Sequence, residues 1–238
     1  MRANSLNKQD ESNITMSRFY HLGSPKSIKD LDIPSLKFKH IDRMKIPILV
    51  IDDNEFEYLE HLKNHRFDVT YFPDIQSIES VNEYEIILCD INGVGKKFDS
   101  KFQGAHIISE IHKKYPFKTI IAYTGHTHDP SFNKFFKIAD FTIKKDIDGD
   151  EWVEKLDEAI SISTDPKKKW IKMRSFLIEN DVCLFEIAKL ENEYVKNILD
   201  GKSLDDFPSK KLSAEINPDV RAVIQSFTAN ILFKLMFG

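Results

Sequence analysis

Six polar side chains stand where short apolar runs of the sequence end. They are two adjacent carboxylates, a third carboxylate, a hydroxyl and two adjacent lysines: Asp52 and Asp53, Asp90, Thr124, and Lys144 and Lys145. Three carboxylates brought close together repel one another and favour a divalent cation, and ligation by oxygen alone suits Mg²⁺. A metal beside Asp90 would neutralise an incoming phosphoryl group, while a lysine and a hydroxyl hold its oxygens and the carboxylate attacks. The set predicts phosphoryl chemistry, provided that the fold gathers it.

The apolar runs before these residues are typical of buried strands. Residues 48–51 are apolar without alternation, which indicates a strand covered on both faces. Further strands are predicted at 67–72, 85–89, 119–123 and 141–143, and helices at 56–62, 75–81, 103–115, 131–138 and 151–162. Five alternating β-α units imply a parallel sheet with helices on both faces. Because ligands bind beyond the carboxyl ends of such strands, the six side chains are expected to share one pocket.

The order of these residues at the strand ends resembles the receiver domains of two-component response regulators. The resemblance covers about half of the chain and implies a doubly wound, flavodoxin-like α/β fold with strand order 2-1-3-4-5. It also implies that Asp90 accepts the phosphoryl group. By the same resemblance Asp53, and to a lesser degree Asp52, would hold Mg²⁺ together with Asp90 and the backbone carbonyl of Asn92. Thr124 would hydrogen-bond the phosphoryl group and shift when it arrives.

Two lysines compete for the place beside the phosphoryl group. In receiver domains an aromatic residue usually stands three places before the pocket lysine, and Phe141 then selects Lys144. Counting forward from Ala139 and Asp140 in the usual spacing selects Lys145 instead. We favour Lys144, because Phe141 would then fill the aromatic switch position.

The loop after Asp90 departs from the resemblance. It spans residues 91–104, is longer than the usual connection, and carries Lys96, Lys97 and Lys101 beside the acidic pocket. These lysines could dock a partner or shield the phosphate, but a flexible, solvated loop is the more ordinary interpretation. Gly104 is expected to match the glycine that opens the third helix.

Each residue of the predicted pocket also has an ordinary structural role open to it. Asp52 or Asp53 could cap the following helix, Thr124 could simply end a strand, and Lys144 could be a solvated lysine. Only their joint placement at one sheet edge favours function. His126 and His128, with Asp129, supply too few ligands to predict a zinc site.

The chain divides into three predicted segments. Residues 1–44 form a polar tail or arm with one helical turn at 27–31 and an extended piece at 36–41, residues 45–164 form the receiver domain, and residues 165–238 form a helical extension. A last helix at 220–237 becomes apolar nearly all round, so it must be buried against the receiver or in another subunit.

Composition limits the classes of function. Residues 46–164 carry thirteen Lys and Arg against twenty-two Asp and Glu, and residues 165–238 carry twelve against eleven. Neither balance favours binding to a phosphate backbone, so we expect no nucleic acid partner. Two distant cysteines in apolar stretches, no signal peptide and no apolar run of ~18 residues indicate a cytoplasmic protein without a membrane segment.

These observations predict a phosphorelay protein of the kind found in bacterial two-component systems. A histidine kinase or phosphotransfer protein would phosphorylate Asp90 with Mg²⁺, and the output would be protein–protein contact, a homodimer included. We expect no enzymatic activity beyond hydrolysis of its own acyl phosphate. Two alternatives stay open: a transcription regulator with an unfamiliar helical DNA-binding domain, and a receiver fold that is never phosphorylated.

Overall fold

A single five-stranded sheet organises the molecule. The computed structural model describes residues 24–32, 42–125, 132–214 and 216–229. The strands are β1 (Pro47–Ile51), β2 (Asp68–Phe72), β3 (Ile86–Asp90), β4 (Thr119–Thr124) and β5 (Phe141–Lys144). All neighbours pair in parallel, in the order β2-β1-β3-β4-β5. The predicted fold class, a doubly wound sheet with a helical C-terminal region, is confirmed.

An α-helix follows four of the five strands. These helices are α1 (Leu59–Asn64), α2 (Gln103–Lys114), α3 (Asn133–Phe136) and α4 (Gly149–Ser163), which follow β1, β3, β4 and β5. The helix predicted at 75–81 is wrong, because the structure has only a 3₁₀ turn at Ile78–Val81 between β2 and β3. Ser77, Ser80 and Asn82 explain the difference, since their side chains compete for backbone hydrogen bonds and favour turns over helix interiors.

The three central strands, β1, β3 and β4, are buried on both faces, whereas the edge strands β2 and β5 are partly exposed. Leu49, Ile51 and Ile87 belong to the core on the α2 side, whereas Val50 and Leu88 belong to the core on the α1 and α4 side. Each of these side chains is fully buried, which stabilises the fold by about 1.5–3 kcal/mol per side chain. Successive side chains therefore alternate between the two faces of the sheet, and this alternation continues to the edge where β1 and β3 end.

The described part of the C-terminal region contains four helices: α5 (Pro166–Glu179), α6 (Leu184–Leu199), α7 (Lys210–Ala214) and α8 (Pro218–Thr228). Asp165 begins α5, because its carboxylate accepts hydrogen bonds from the backbone N–H groups of Lys167 and Lys168. The helical core is continuous with the core on the α2 side of the sheet. Phe227 of α8 packs against Phe117, just before β4, with ring centroids 5.6 Å apart. The described part of the predicted last helix is therefore buried against its own chain.

Polar contacts fasten α5 to the amino ends of the strands. Lys169 forms a 2.9 Å ion pair with Glu85, and both side chains are 3% exposed. Lys172 donates to the Asp140 carboxylate at 2.6 Å and to the Lys118 carbonyl at 2.8 Å. Because Glu85, Lys118 and Asp140 directly precede β3, β4 and β5, the helical region covers the sheet end opposite the predicted pocket.

Other predicted elements are present in part or lie outside the described residues. The single turn predicted at 27–31 is a 3₁₀ turn at Ile28–Leu31, held to α6 by a hydrogen bond from Ile28 N–H to the Glu191 carboxylate. The predicted tail at 1–23, the extended piece at 36–41 and the end of the predicted last helix lie outside the described residues. No helix in the described ranges is both long and apolar enough to cross a bilayer.

Candidate functional site

Three carboxylates converge at the carboxyl ends of β1 and β3. Asp52 and Asp53 follow β1, and Asp90 is the last residue of the neighbouring strand β3. One carboxylate oxygen from each lies within 4.8 Å of the other two. Asp52 and Asp90 are buried, whereas the Asp53 side chain is 31% exposed. The structure thus brings together the three acidic residues that the sequence predicts.

Asp52 is held from three sides. Its Oδ1 accepts a hydrogen bond from Asn54 N–H at 2.9 Å, and its Oδ2 accepts from the Tyr123 hydroxyl at 2.8 Å and from Lys145 Nζ at 2.7 Å. Burial, reinforced by the Asp52 carboxylate, raises the pKa of Tyr123 far above its ordinary value, so the phenol stays neutral and donates. Asp52 is therefore fixed in position before any ligand arrives.

Asp90 has a different set of partners on each oxygen. Its Oδ1 accepts from Asn92 N–H at 3.1 Å, and its Oδ2 lies 2.6 Å from Lys145 Nζ. Burial raises the pKa of Asp90 above its ordinary value, against the opposing effect of its hydrogen bond with Lys145. A cation at this site would stabilise the ionised form of the carboxylate.

The lysine between the carboxylates is Lys145, so our preference for Lys144 is corrected. Alternation along β5 places Lys145 on the same side as Ile143, which is buried near Tyr123, and leaves Lys144 exposed on the other side. Lys145 Nζ also lies 5.0 Å from the centre of the Tyr123 ring. Burial lowers the pKa of Lys145, but its bonds to Asp52 and Asp90 outweigh this and raise it.

Phe141 does not stand three places before Lys145, so the reason for preferring Lys144 no longer applies. Three residues before Lys145 stands Thr142, which is exposed, so no aromatic side chain occupies that position. Counting forward from Ala139 and Asp140 selected the right lysine.

Thr124 and Asn92 lie at the same sheet edge. Thr124 ends β4, is partly exposed, and its carbonyl accepts a hydrogen bond from Lys145 N–H at 3.1 Å. Asn92 is partly buried and holds Asp90 through its backbone N–H. The roles predicted for the Thr124 hydroxyl and the Asn92 carbonyl stay predictions, because both roles are contacts with a bound ligand.

The first part of the long loop is tied to the pocket. At Gly93 the backbone has a φ of +81°, and an added Cβ would lie 2.2 Å from Asp53 Oδ1, so no side chain fits there. Asp74 accepts hydrogen bonds from the N–H groups of Gly95 and Lys96 at 2.7 and 3.1 Å. Lys96 Nζ then reaches within 3.8 Å of Asp53 Oδ2. The interpretation of this loop as merely solvated therefore does not hold for residues 93–96.

The rest of this loop matches the prediction more closely. Lys97 and Lys101 are exposed, and Gly104 is the second residue of α2, as expected from the resemblance.

Tyr123 and Tyr71 are site residues that the sequence argument missed. The Tyr71 hydroxyl donates to the carbonyls of Asp52 and Asn54 at 2.9 and 3.0 Å, which holds the turn after β1. A signal was available for Tyr123, because it directly precedes Thr124 in a buried strand and a buried phenol requires a hydrogen-bond partner. His126 and His128 lie outside the described residues.

The donor set fits a hard divalent cation. Carboxylate oxygens from Asp52, Asp53 and Asp90 supply the ligand type that Mg²⁺ prefers, and the partial exposure of Asp53 leaves room for the waters that this ion retains. Lys145 already neutralises part of the negative charge on the buried side. The open side of the cluster is therefore where a cation would bind.

Comparison with known proteins finds similar solved structures. No protein-family model and no curated protein matches the sequence. Similar solved structures include a CheY-like receiver domain protein from Methanospirillum hungatei (20% identity, TM-score 0.43, 50% of this chain and 95% of that chain). They also include a response regulator from Thermotoga maritima (17%, 0.41, 49% and 98%) and TrrA from the same organism in complex with Mg²⁺-BeF (23%, 0.39, 48% and 98%). The chain is similar to response-regulator receiver domains.

The likeness to receiver domains concerns the fold and about half of the chain. The sheet of this chain has the strand order 2-1-3-4-5. What the receiver-like half can do chemically follows from the distances among Asp52, Asp53, Asp90 and Lys145.

Proposed function

We propose that this chain is a response-regulator-type signalling protein that accepts a phosphoryl group on Asp90. The observation that carries the proposal is the position of Asp90: a buried carboxylate with Oδ2 at 2.6 Å from Lys145 Nζ, beside two further carboxylates. Two lysines face the three carboxylates, namely the partly buried Lys145 and the exposed Lys96, whose Nζ lies 3.8 Å from Asp53 Oδ2, so one carboxylate is left unmatched. The surplus of negative charge at a sheet edge where ligands bind supports a cation-dependent reaction there.

In the proposed reaction a carboxylate oxygen of Asp90 attacks the phosphorus of a phosphohistidine on a kinase or phosphotransfer protein. The new O–P bond forms as the N–P bond breaks, and the histidine leaves with the bonding electrons. Asp52, Asp53 and Asp90 would hold Mg²⁺, which supplies neutralisation of the phosphoryl oxygens when bound. Lys145 would move its contact from the Asp90 carboxylate to a phosphoryl oxygen, and the Thr124 hydroxyl would hydrogen-bond another.

We place the output of the protein in protein–protein contact through its helical region. That region has nearly balanced charge, which does not suit a nucleic acid backbone. Four of its large apolar side chains are exposed, namely Ile171 and Ile178 on α5 and Leu184 and Phe185 at the start of α6. Exposed apolar side chains grouped on one pair of helices are typical of surfaces that bind another protein.

A phosphorylation assay tests the proposal. The full-length protein is incubated with Mg²⁺ and a small-molecule phosphodonor, and its intact mass is measured with and without a metal chelator. We expect the mass to rise by one phosphoryl group only when Mg²⁺ is present, and we expect Asp90→Asn to block the gain.

The same samples separate the alternatives. A wild-type protein that never gains phosphate and does not bind beryllofluoride would be a receiver fold that is not phosphorylated. Retention of duplex DNA with a steep dependence on salt would instead support a transcription regulator. A change in oligomeric state on phosphorylation would identify the homodimer as the output.

A further inference from the structure

A second group of ligand side chains lies between α1 and α4 and shares no residue with the carboxylate pocket. It consists of His61 in α1, His65 directly after α1, and Asp150, the second residue of α4. One ligand atom from each lies within 4.8 Å of the others. The two helices pack against each other on the same face of the sheet, so their backbones fix the spacing of the group.

His65 is oriented by its own helix. Its Nδ1 lies 3.0 Å from the carbonyl oxygen of His61. When Nδ1 donates a proton to that carbonyl, Nε2 carries the free lone pair, and this arrangement is the usual one for a histidine that binds a metal through Nε2. The contact is therefore the outer support that a metal ligand needs.

His61 carries a nitrogen with nothing to bind. Its Nε2 is shielded from solvent and has no hydrogen-bond partner among the described residues. The nearest carboxylate oxygen, Asp150 Oδ1, is 3.8 Å away, which is too far for a hydrogen bond. It is close to the edge of a coordination tetrahedron built from bonds of about 2.0–2.2 Å. A buried polar atom without a partner costs stability, and an ion at this point would satisfy it.

The start of α4 is shaped to approach His61. An added Cβ at Gly149 would lie 2.8 Å from His61 Nε2, so a side chain at this position would displace the imidazole ring. Asp148 caps α4 by accepting a hydrogen bond from Glu151 N–H, which leaves the Asp150 carboxylate directed to solvent and 91% exposed. Asp150 can therefore turn toward an ion without breaking a contact that holds the helix.

We infer that His61, His65 and Asp150 form a binding site for a zinc-class divalent ion, with water or a partner's side chain as the fourth ligand. Two imidazole nitrogens and one carboxylate oxygen suit Zn²⁺ and its neighbours among the transition metals, whereas Mg²⁺ prefers oxygen alone. The two sites of the molecule would thus select different ions. An ion here would join the segments that follow β1 and β5, which supply Asp52, Asp53 and Lys145 to the other site.

Zinc titration tests the inference on the full chain. Zn²⁺ is titrated in competition with a chromophoric zinc chelator, in excess Mg²⁺ so that the carboxylate pocket is occupied. We expect one tightly bound Zn²⁺ that is weakened by about tenfold or more in His65→Gln and in Asp150→Asn, since even outer-shell changes cost about this much. His106→Gln, a partly buried histidine of α2, is the matched control and should bind as the wild type does.

Three results would overturn the zinc site: no zinc bound by the wild type, unchanged affinity in both ligand variants, or loss of zinc in a His126→Gln/His128→Gln double variant instead. Substitution of Co²⁺ gives a second readout, because its visible absorption reports nitrogen ligation directly. We expect the absorption to disappear in His65→Gln and to persist in Asp90→Asn. Persistence in Asp90→Asn separates this site from the proposed phosphorylation, whose failure would leave zinc binding intact.

Discussion

The two ends of the parallel sheet both contain buried charges, but they are balanced differently. At the carboxyl end the excess is of carboxylates: Asp52, Asp53 and Asp90 face the partly buried Lys145 and the exposed Lys96. At the amino end the excess is of lysines: Lys118, Lys169 and Lys172 face the carboxylates of Glu85 and Asp140.

Backbone carbonyls make up the difference at the amino end. Lys118 donates to the carbonyls of Asn82 and Tyr84, and Lys172 donates to that of Lys118. Little solvent reaches this layer, because Glu85, Lys118 and Lys169 are each no more than 3% exposed, and this burial lowers the pKa of Lys118 to about 8. The amino end is thus a closed structural joint with the helical region. The carboxyl end keeps an unmatched negative charge, and an unmatched charge at a ligand-binding edge is what a reactive site requires.

The largest effect on stability is expected at the amino end of the sheet, which we call the closed end; the carboxyl end is called the open end. Glu85→Ala leaves the Lys169 ammonium buried without its carboxylate and should lower the free energy of unfolding by about 3–5 kcal/mol. Urea denaturation measures the change. The exposed pair of Lys155 and Glu158 is the control, where Glu158→Ala should change stability by no more than about 0.5 kcal/mol. Equal losses in the two variants would show that the amino-end pair is not specially buried.

At the open end, the neighbouring lysines provide a matched pair. Lys145→Met should slow phosphorylation of Asp90 by about 10²-fold, because it removes a preorganised positive charge from the developing phosphoryl charge. Lys144→Met should leave the rate near that of the wild type, since Lys144 is exposed on the other side of β5. The rates are measured with a small phosphodonor in Mg²⁺. Reversed results would restore the original preference for Lys144.

Tyr123→Phe tests how much the phenol hydroxyl contributes to holding Asp52 in position. It removes one hydrogen bond to a buried carboxylate but leaves the one from Lys145, so we expect a loss of about 1–2 kcal/mol in unfolding free energy. Tyr84→Phe, whose ring packs against Phe72, is the comparison for removing a hydroxyl elsewhere. Differential calorimetry in the presence of chelator detects the change. A stability equal to that of the wild type would mean that the phenol contributes nothing to the position of Asp52.

The smallest expected effect is a gain in stability, in the variant Asp90→Asn. Burial raises the folded-state pKa of Asp90 above its unfolded value, so ionisation of Asp90 costs stability as the pH rises through that folded pKa. Asp90→Asn removes this cost and should melt at a higher temperature than the wild type at neutral pH without metal. The difference should disappear below the unfolded pKa of about 3.9, where the carboxyl is protonated in both states. A variant less stable than the wild type at neutral pH would contradict the direction.

The open end could be predicted from sequence because its signals are local. Asp52, Asp53, Asp90 and Thr124 each follow an unbroken apolar run, and parallel strands bring such ends together. Between the two candidate lysines Lys144 was preferred over Lys145, and this error of one position matters because a shift of one residue in a strand moves a side chain to the opposite face. The 3₁₀ turn at Ile78–Val81 was missed because apolar spacing alone does not weigh the preference of Ser and Asn for turns.

The closed end could not be predicted in the same way. Glu85 and Lys169 are separated by 84 residues, and nothing in the local pattern pairs them. Counting charges showed only that the helical region is nearly neutral. The count could not show that buried lysines of this region pair with carboxylates at the amino ends of the strands. The contact of His61 with Asp150 escaped for the same reason, because the two residues meet only when α1 and α4 pack on the sheet.

The most direct test of the central claim locates the phosphate. After treatment with Mg²⁺ and a phosphodonor, the acyl phosphate is reduced with borohydride, which converts a phosphorylated aspartate to homoserine, and peptide mass spectrometry finds the converted residue. We expect conversion at Asp90 alone, with Asp52 and Asp53 unchanged. Conversion at either of those two residues, or at none, would contradict the assignment of Asp90 as the phospho-acceptor.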